Sequence, residues 1–482
     1  MSRDFDSTGT GAQRSLSRLN RLFGVAERGS TVARELRGGV TTFVTMSYIV
    51  LLNPLILGSA ADVTGTRLDH TQLTTATALS AGVMTVLMGV FGRAPLALAA
   101  GLGVNAVVAF TVAPSMTWPQ AFGLAVLEGV CIVAMTASGV REHLINAVPA
   151  PLKSALTIGI GLYIALIGLV SAGFVSRKPD SAHTTTPVQM GTGADGHLHG
   201  WPLTLFCATM LLMIALVRLR KPAAILISLA AGTLASVVVN AVFPVPAEQW
   251  GVVVPTLPTS LLATPDFGLV GHVDLVGGFA TAGAVAATTF LFTLVLSGFF
   301  DAMGTITSVG RQAGLTSDGS VCGMGRILLI DGAGAVAGGL TGSAPNTVFL
   351  ESAAGVGEGA RTGLASLVTG SLFLVTMLFA PIASIVPVQA AAPALVLVGG
   401  MMMIECRHVP WTDPDYVLPV FLAAAVIPFT YSITNGVGAG LIAYCTNKIC
   451  RGQIRDVGSI TLGIAALFVV YFGIDVFPAL FG

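Results

Sequence analysis

Charged residues are scarce in this 482-residue chain, since Asp, Glu, Lys and Arg together make up only 10% of it. A soluble domain carries about 25% charged residues, so the composition excludes an ordinary water-soluble fold. Hydrophobic residues account for 54% of the chain, and the mean hydropathy is +0.85. The sequence therefore predicts an all-α polytopic membrane protein with the lipid bilayer as its surroundings.

The chain also lacks the residue patterns of nucleotide binding and metal chemistry. None of its lysines follows a glycine, so it has no P-loop for nucleotide phosphates. The six cysteines and seven histidines show no metal-ligand spacing, and no histidine lies in the middle of an apolar segment. We therefore expect no cofactor, no metal, no enzymatic activity and no nucleic-acid partner, and any pumping must use an ion gradient.

Apolar segments run almost end to end and predict about fourteen membrane spans of roughly 20 residues each. The first seven lie at 39–58, 72–92, 95–112, 119–139, 152–173, 202–218 and 223–243. The second seven lie at 284–308, 327–342, 345–357, 363–385, 390–405, 415–431 and 433–449. One further apolar run, 457–478, is either an additional span or a helix that lies against the bundle.

The positions of the basic residues predict the orientation of these spans. All but three of the 23 lysines and arginines lie in the N-terminal tail or follow an even-numbered span; the exceptions are Arg67, Arg177 and Lys178. Because Lys and Arg concentrate in cytoplasmic loops, the N-terminus is expected in the cytoplasm. We expect a multi-pass protein of the plasma membrane with no lysine or arginine inside a span.

Two carboxylates, Asp301 and Glu351, lie inside apolar segments. A charge at the bilayer centre costs about 2.5 to 3.5 kcal/mol, so such residues usually face a cavity, a partner or a transported species. Thr293, Ser297, Asp301 and Thr305 recur every four residues and share one helix face. The threonine and serine hydroxyls either face a ligand or bond to their own backbone carbonyls. Phe300 either stacks on an aromatic ligand or packs in the core.

The third and tenth spans are short and interrupted. The third contains Gly101 and Gly103 before Asn105, and the tenth contains Pro345, Asn346 and Thr347 before Glu351. Interrupted segments at matching positions of two halves are typical of a transporter site, because freed backbone groups must line a cavity or be buried in protein. Alternatively, the glycines only allow helices to approach closely.

Two further acids lie in predicted spans. Glu128 falls in the fourth span, and Asp331 lies near the cytoplasmic start of the ninth. Each either takes part in proton coupling or has a structural role, in which it holds a helix end or accepts from a buried donor.

Several of these motifs resemble the azaguanine-type branch of the nucleobase cation symporter-2 superfamily, which contains adenine, guanine and hypoxanthine permeases. The resemblance covers about Gly38 to residue 449 and rests on these segments: Thr41 to Ile49, Asn53-Pro54, Gly101 to Asn105, Phe300 to Thr305, Glu351 to Gly355 and Arg361-Thr362-Gly363. In the wider superfamily, the acids that match Asp301 and Glu351 hold the base. Uracil carriers have histidine where this chain has Thr305, which favours purines.

The resemblance implies a 7+7 inverted repeat, a homodimer, a core domain of spans 1 to 4 and 8 to 11, and a gate domain of spans 5 to 7 and 12 to 14. The corresponding boundaries are a tail at 1–38, core halves at 39–145 and 251–385, and gate halves at 146–250 and 386–482.

The predicted function is import of purine nucleobases by proton symport with alternating access. A carboxylate accepts hydrogen bonds from a neutral purine, which suits Asp301 and Glu351 as both base-binding and proton-coupling residues, with Asn105, Asn346, Thr347, Phe300 and Thr305 as further binding candidates. The alternatives are a uracil, xanthine or small-anion transporter on the same fold. A passive channel or a membrane-embedded enzyme is less favoured, because paired interrupted spans indicate a transporter.

Overall fold

Helices dominate the structure, because a chain immersed in lipid must satisfy its backbone N–H and C=O groups internally. The computed structural model describes residues 22–138, 149–177, 188–191, 197–221, 223–243, 245–250, 253–257, 262–317, 320–383, 385–430 and 432–473. Eight helical segments among these residues are long and apolar enough to cross a membrane. The mostly helical fold is thus confirmed, whereas the count of fourteen crossings stays a prediction.

The first half of the chain contains ten helices within the described residues. They are α1 (Val32–Met46), α2 (Ile49–Ser59), α3 (His70–Leu87), α4 (Leu102–Val107), α5 (Trp118–Ala137), α6 (Ala150–Ser171), α7 (Trp201–Arg218), α8 (Ala224–Val242), α9 (Ala247–Trp250) and α10 (Gly277–Thr281). Turns of π-helix extend α3 over Met88–Gly92 and α4 over Val108–Val112.

The second half is built in the same way. Its helices are α11 (Ala284–Gln312), α12 (Met324–Thr341), α13 (Ser352–Gly357), α14 (Gly363–Thr376), α15 (Ala380–Ala383), α16 (Val388–Met402), α17 (Pro414–Thr430), α18 (Ile433–Cys450) and α19 (Ser459–Phe472). Each of the fourteen predicted segments contains at least part of one of these helices. The additional apolar run contains α19, which packs against α18, while its residues 474–478 lie outside the described part.

Within the part of the chain that the structure describes, short strands form three antiparallel pairs. The strands are β1 (Leu98–Ala100), β2 (Val175–Arg177), β3 (Val188–Met190), β4 (Thr316–Ser317), β5 (Ser320–Val321) and β6 (Asn346–Val348). Strand β1 pairs with β6, β2 with β3, and β4 with β5.

The pair β1 and β6 lies where the third and tenth segments are interrupted. Leu98 stands opposite Val348 in the register, and Ala100 stands opposite Asn346. At the two ends of the pair, Gly101 N–H donates to the Pro345 carbonyl at 3.0 Å, and Phe349 N–H donates to the Ala97 carbonyl at 2.9 Å. Each interruption therefore satisfies the backbone groups that the other leaves free, which is what buried non-helical backbone requires.

The helices pack in two groups. In the first group α5 packs on α12, α3 on α14, and α1 on α14; in the second, α6 packs on α16 and α17, α17 on α18, and α7 on α8. Glycines permit the closest approaches, and a Cβ added to Gly363 would collide with the Gly89 carbonyl oxygen. Such contacts between small residues let helix backbones meet in a membrane protein.

A buried carboxylate fixes the start of α14. Glu35 of α1 is fully buried, and its two oxygens accept from the N–H groups of Arg361 at 2.8 Å and Thr362 at 3.2 Å. These N–H groups have no partner inside the helix, because the first turn lacks preceding carbonyls. Glu35 therefore ties α1 to the part of the chain that follows α13.

Candidate functional site

A cavity lies between the two helix groups. It holds about 520 Å³ of empty space, open solvent included. One wall is a face of α11, the other is a face of α6, and the remaining lining comes from α4, α16 and α18. The lining residues are Gly103, Lys153, Leu156, Thr157, Ile160, Thr293, Leu296, Ser297, Asp301, Met402, Ile433 and Val437.

Asp301 is exposed on the α11 wall of this cavity. Ser297 lines the same wall one turn earlier and Thr293 two turns earlier, as the spacing of four residues predicts. Thr293 also donates to the Thr289 carbonyl at 2.9 Å, so its hydroxyl is satisfied by its own helix. Thr305 is buried one turn beyond Asp301 and is not part of the lining.

Glu351 lies between β6 and α13 and is held by a tyrosine. The hydroxyl of Tyr48 donates to Glu351 Oε1 at 2.5 Å, and Tyr48 itself is fully buried at the junction of α1 and α2. Glu351 is part-buried and does not line the cavity. The helix that begins directly after Glu351, α13, packs against α11, which carries Asp301. The two acids therefore lie on neighbouring elements of the fold.

The asparagines of the interrupted segments are buried. Asn346 accepts from the Ser80 hydroxyl at 3.4 Å. Asn105 is fully buried, and neither polar atom of its side chain has a hydrogen-bond partner among the described residues. Neither asparagine lines the cavity, and the side chain of Phe300 lies outside the described part. The assignment of all three as substrate-binding residues stays a prediction.

Asp331 of α12 holds strand β6 in place. Its Oδ1 accepts from the Thr347 hydroxyl at 3.2 Å and from the Val348 N–H at 3.0 Å. This geometry matches the structural alternative for Asp331, in which a buried acid pairs with buried donors. It also gives Thr347 a partner within the protein, while its predicted contact with substrate stays untested.

Glu128 lies between α5 and α11 with 1% of its surface exposed. Its Oε1 touches Gly298 where a Cβ would stand, and its Oε2 has no hydrogen-bond partner within the described residues. A buried carboxylate oxygen without a donor is costly. Glu128 therefore remains a candidate for proton coupling as well as for helix packing.

A match to a family model decides what kind of protein has this architecture. The model of the permease family named Xan_ur_permease matches residues 33–438. The chain belongs to this family. It is 34% identical to the guanine/hypoxanthine permease PbuG of Bacillus subtilis (strain 168), over 94% of this chain and 99% of that protein. It is also 34% identical to the adenine permease AdeQ of Escherichia coli (strain K12), over 94% of this chain and 95% of that protein.

These relatives confirm the resemblance that the sequence motifs predict. Among solved structures, the permease is similar to the transmembrane domain of the cyanobacterial bicarbonate transporter BicA, with a TM-score of 0.56 and 18% identity. The likeness covers 88% of this chain and 97% of that one, and at this identity it shows the fold alone. The permease is therefore an integral membrane protein, and its family indicates a transporter rather than an enzyme.

Sequence reasoning missed two functional candidates of the permease. Tyr48 lies in a motif that carries the family resemblance, but nothing in its spacing indicates that it contacts Glu351. Lys153 is the second residue of the predicted span 152–173, at the cytoplasmic end of that span; in the structure it is the fourth residue of α6 and lines the cavity. The expectation that no basic residue enters a span is therefore wrong for Lys153, because α6 is one of the helices long and apolar enough to cross a membrane.

Proposed function

We propose that this protein is a secondary active transporter that imports purine nucleobases by proton symport. The relatives with 34% identity are named for guanine, hypoxanthine and adenine, and the alignments cover nearly the whole of each chain. The observation that carries the proposal is Asp301, a carboxylate exposed to a cavity between two helix groups. Transporter sites of this architecture lie near the bilayer midplane between such groups.

The chemistry of the two acids suits a neutral purine. An ionised carboxylate only accepts hydrogen bonds, and a purine offers ring N–H and amino donors. Each charge-assisted hydrogen bond contributes about 1.5 to 3 kcal/mol. Because α11 packs against α13, the ionised forms of Asp301 and Glu351 would repel each other, and binding one proton would remove that repulsion. Substrate and proton thus favour each other at one site, which is what symport requires.

The two helix groups supply the moving parts. The first group corresponds to a core domain (39–145 and 251–385) that carries Asp301, Glu351 and the β1–β6 pair. The second corresponds to a gate domain (146–250 and 386–482) that supplies the α6 wall. Movement of one group against the other would expose the cavity to each side in turn. We further propose a 7+7 inverted repeat of fourteen spans, a homodimer, and a plasma-membrane location with the N-terminus in the cytoplasm.

Uptake into cells that lack their own purine permeases tests this function. We expect the wild-type protein to concentrate labelled hypoxanthine, guanine or adenine inside the cell, whereas a passive channel would not. Asp301→Asn and Glu351→Gln should each lose most uptake. Glu358→Gln is a matched control, because Glu358 is an acid that pairs with Arg37 outside the cavity. Full uptake by both site variants would remove the site assignment.

Proteoliposomes test the coupling ion separately. An acid exterior without sodium should drive hypoxanthine accumulation, and a protonophore should abolish it. Accumulation that needs sodium and survives the protonophore would show that the acids serve another ion.

A small anion is the second candidate substrate, because Lys153 places a positive charge in the cavity. Competition by xanthine, uracil, bicarbonate and sulfate against labelled hypoxanthine separates the candidates. We expect purines to compete and inorganic anions not to, since Asp301 repels an anion in the same cavity.

A further inference from the structure

Lys153 and Asp301 line the same cavity from two different helices, α6 and α11. On α6 the lining residues Lys153, Leu156, Thr157 and Ile160 follow the spacing of one helix face, so Lys153 points to the same side as the other three. Among the described residues of the lining, Lys153 and Asp301 are the charged ones. They belong to different helix groups, because α6 packs on α16 and α17 while α11 packs on α5.

The two charged groups have opposite hydrogen-bonding roles. An ionised carboxylate accepts and never donates, whereas a lysine ammonium donates up to three hydrogen bonds and never accepts. A ligand that contacts both walls must therefore offer N–H donors on one edge and acceptors on another. A purine base has this pattern, so the inference rests on the proposed function and refines it.

The donor on the α6 wall distinguishes among purines. Guanine presents two adjacent acceptors, O6 and N7, and a lysine can engage both. Hypoxanthine has the same pair of acceptors. Adenine keeps N7 but carries an amino donor in place of O6, and a donor facing an ammonium gains nothing. A lysine in this position therefore favours 6-oxopurines.

We propose that Lys153 is a substrate-contacting residue that donates to the O6 and N7 edge of a 6-oxopurine, while Asp301 accepts from the N–H edge of the same base. The preferred substrates are then guanine and hypoxanthine, and adenine binds more weakly.

Equilibrium binding to the purified full-length protein tests this proposal with labelled hypoxanthine, guanine and adenine. Lys153→Met keeps the length of the side chain and removes the charge and the donor. We expect it to weaken binding of hypoxanthine and guanine by about 10-fold or more, and binding of adenine by less than about 3-fold. Lys153→Arg should keep the order of preference. Lys221→Met is the matched control, because Lys221 is exposed between α7 and α8 and does not line the cavity.

An analogue provides a test that does not depend on the folding of a variant. In 7-deazahypoxanthine a C–H group replaces N7, so the wild-type protein should bind it about 10-fold more weakly than hypoxanthine. Lys153→Met should no longer distinguish the two compounds.

Three results would overturn the proposal. The first is an equal loss of affinity for hypoxanthine, guanine and adenine in Lys153→Met. The second is unchanged affinity for all three bases in that variant. The third is equal affinity of the wild-type protein for hypoxanthine and 7-deazahypoxanthine. Any of these alongside normal purine uptake by the wild-type protein leaves the proposed function intact. A wild-type protein that binds and transports no purine would overturn both.

Discussion

The contact between Tyr48 and Glu351 gives the sharpest prediction about how the site is held. Tyr48→Phe removes one hydroxyl and leaves the buried ring in place, so it tests the hydrogen bond without opening a cavity. The bond is 2.5 Å long, and its donor is fully buried. A hydrogen bond to a charged group contributes about 1.5 to 3 kcal/mol. Without it, Glu351 loses the donor that fixes its orientation.

The size of the effect follows from this free energy. A change of 1.4 kcal/mol is tenfold in an equilibrium constant, so we expect purine affinity to fall by about 10-fold to 100-fold. The assay is the concentration dependence of hypoxanthine uptake, with protein at the membrane quantified for each variant. The thermal midpoint of the purified variant should also fall, because the buried bond is lost in the native state.

Tyr471→Phe is the control, since Tyr471 packs its ring against Phe290 away from Glu351. We expect it to transport like the wild-type protein. If Tyr48→Phe and Tyr471→Phe show the same KM and the same thermal midpoint, then Tyr48 does not hold Glu351 and this reasoning is refuted.

Three further predictions concern the fold. Gly363→Ala should destabilise the purified protein by about 1 to 3 kcal/mol or more, because the added Cβ meets the immobile carbonyl of Gly89. Gly400→Ala is the control and should leave the stability unchanged, because no described atom lies within 4 Å of the added Cβ. Glu35→Gln should cost about 1 to 3 kcal/mol of unfolding free energy, because one of its two acceptor oxygens becomes a donor that faces an N–H group. Asp62 lies in the loop after α2; burial alone would raise the pKa of its carboxyl, but several hydrogen bonds outweigh burial and lower it. The ionised carboxyl of Asp62 therefore stabilises the fold at neutral pH, and this stabilisation is lost as the pH falls through the lowered pKa. Asp62→Asn should lower the thermal midpoint at pH 7. The same substitution should have little effect on the midpoint well below the ordinary aspartate pKa of about 3.9. Equal stability of Gly363→Ala and Gly400→Ala would contradict the first prediction, and a wild-type unfolding free energy for Glu35→Gln would contradict the second. An effect of Asp62→Asn on the thermal midpoint that does not change with pH would contradict the third.

The segments that lie in lipid could be predicted because the bilayer imposes a simple rule on composition. A span needs an apolar stretch of about 20 residues, and the scarcity of charge makes each exception visible. Asp301 stood out for this reason, and the structure places it in the cavity. The interruptions of the third and tenth segments were visible from glycine and proline, which leave backbone groups without helical partners.

The contacts across the fold could not be predicted in this way. Tyr48 and Glu351 are separated by 303 positions, and only the packing of α1 against α13 brings them together. The strands β1 and β6 form only by pairing with each other. They could not be predicted from the sequence, because Leu98-Ala99-Ala100 lacks the alternation of polar and apolar residues that marks a strand. The position of Lys153 in the cavity could not be predicted either, because a lysine near the end of a span usually reaches to the membrane interface, and only the packing of α6 places it in the lining.

The central claim is that Asp301 binds the transported base in the cavity between the two helix groups. Equilibrium binding of labelled hypoxanthine to the purified protein tests it most directly, with wild type, Asp301→Asn and Glu358→Gln measured side by side. Loss of one charge-assisted hydrogen bond predicts about 10-fold or weaker binding for Asp301→Asn and wild-type binding for Glu358→Gln. Wild-type affinity in Asp301→Asn would contradict the claim.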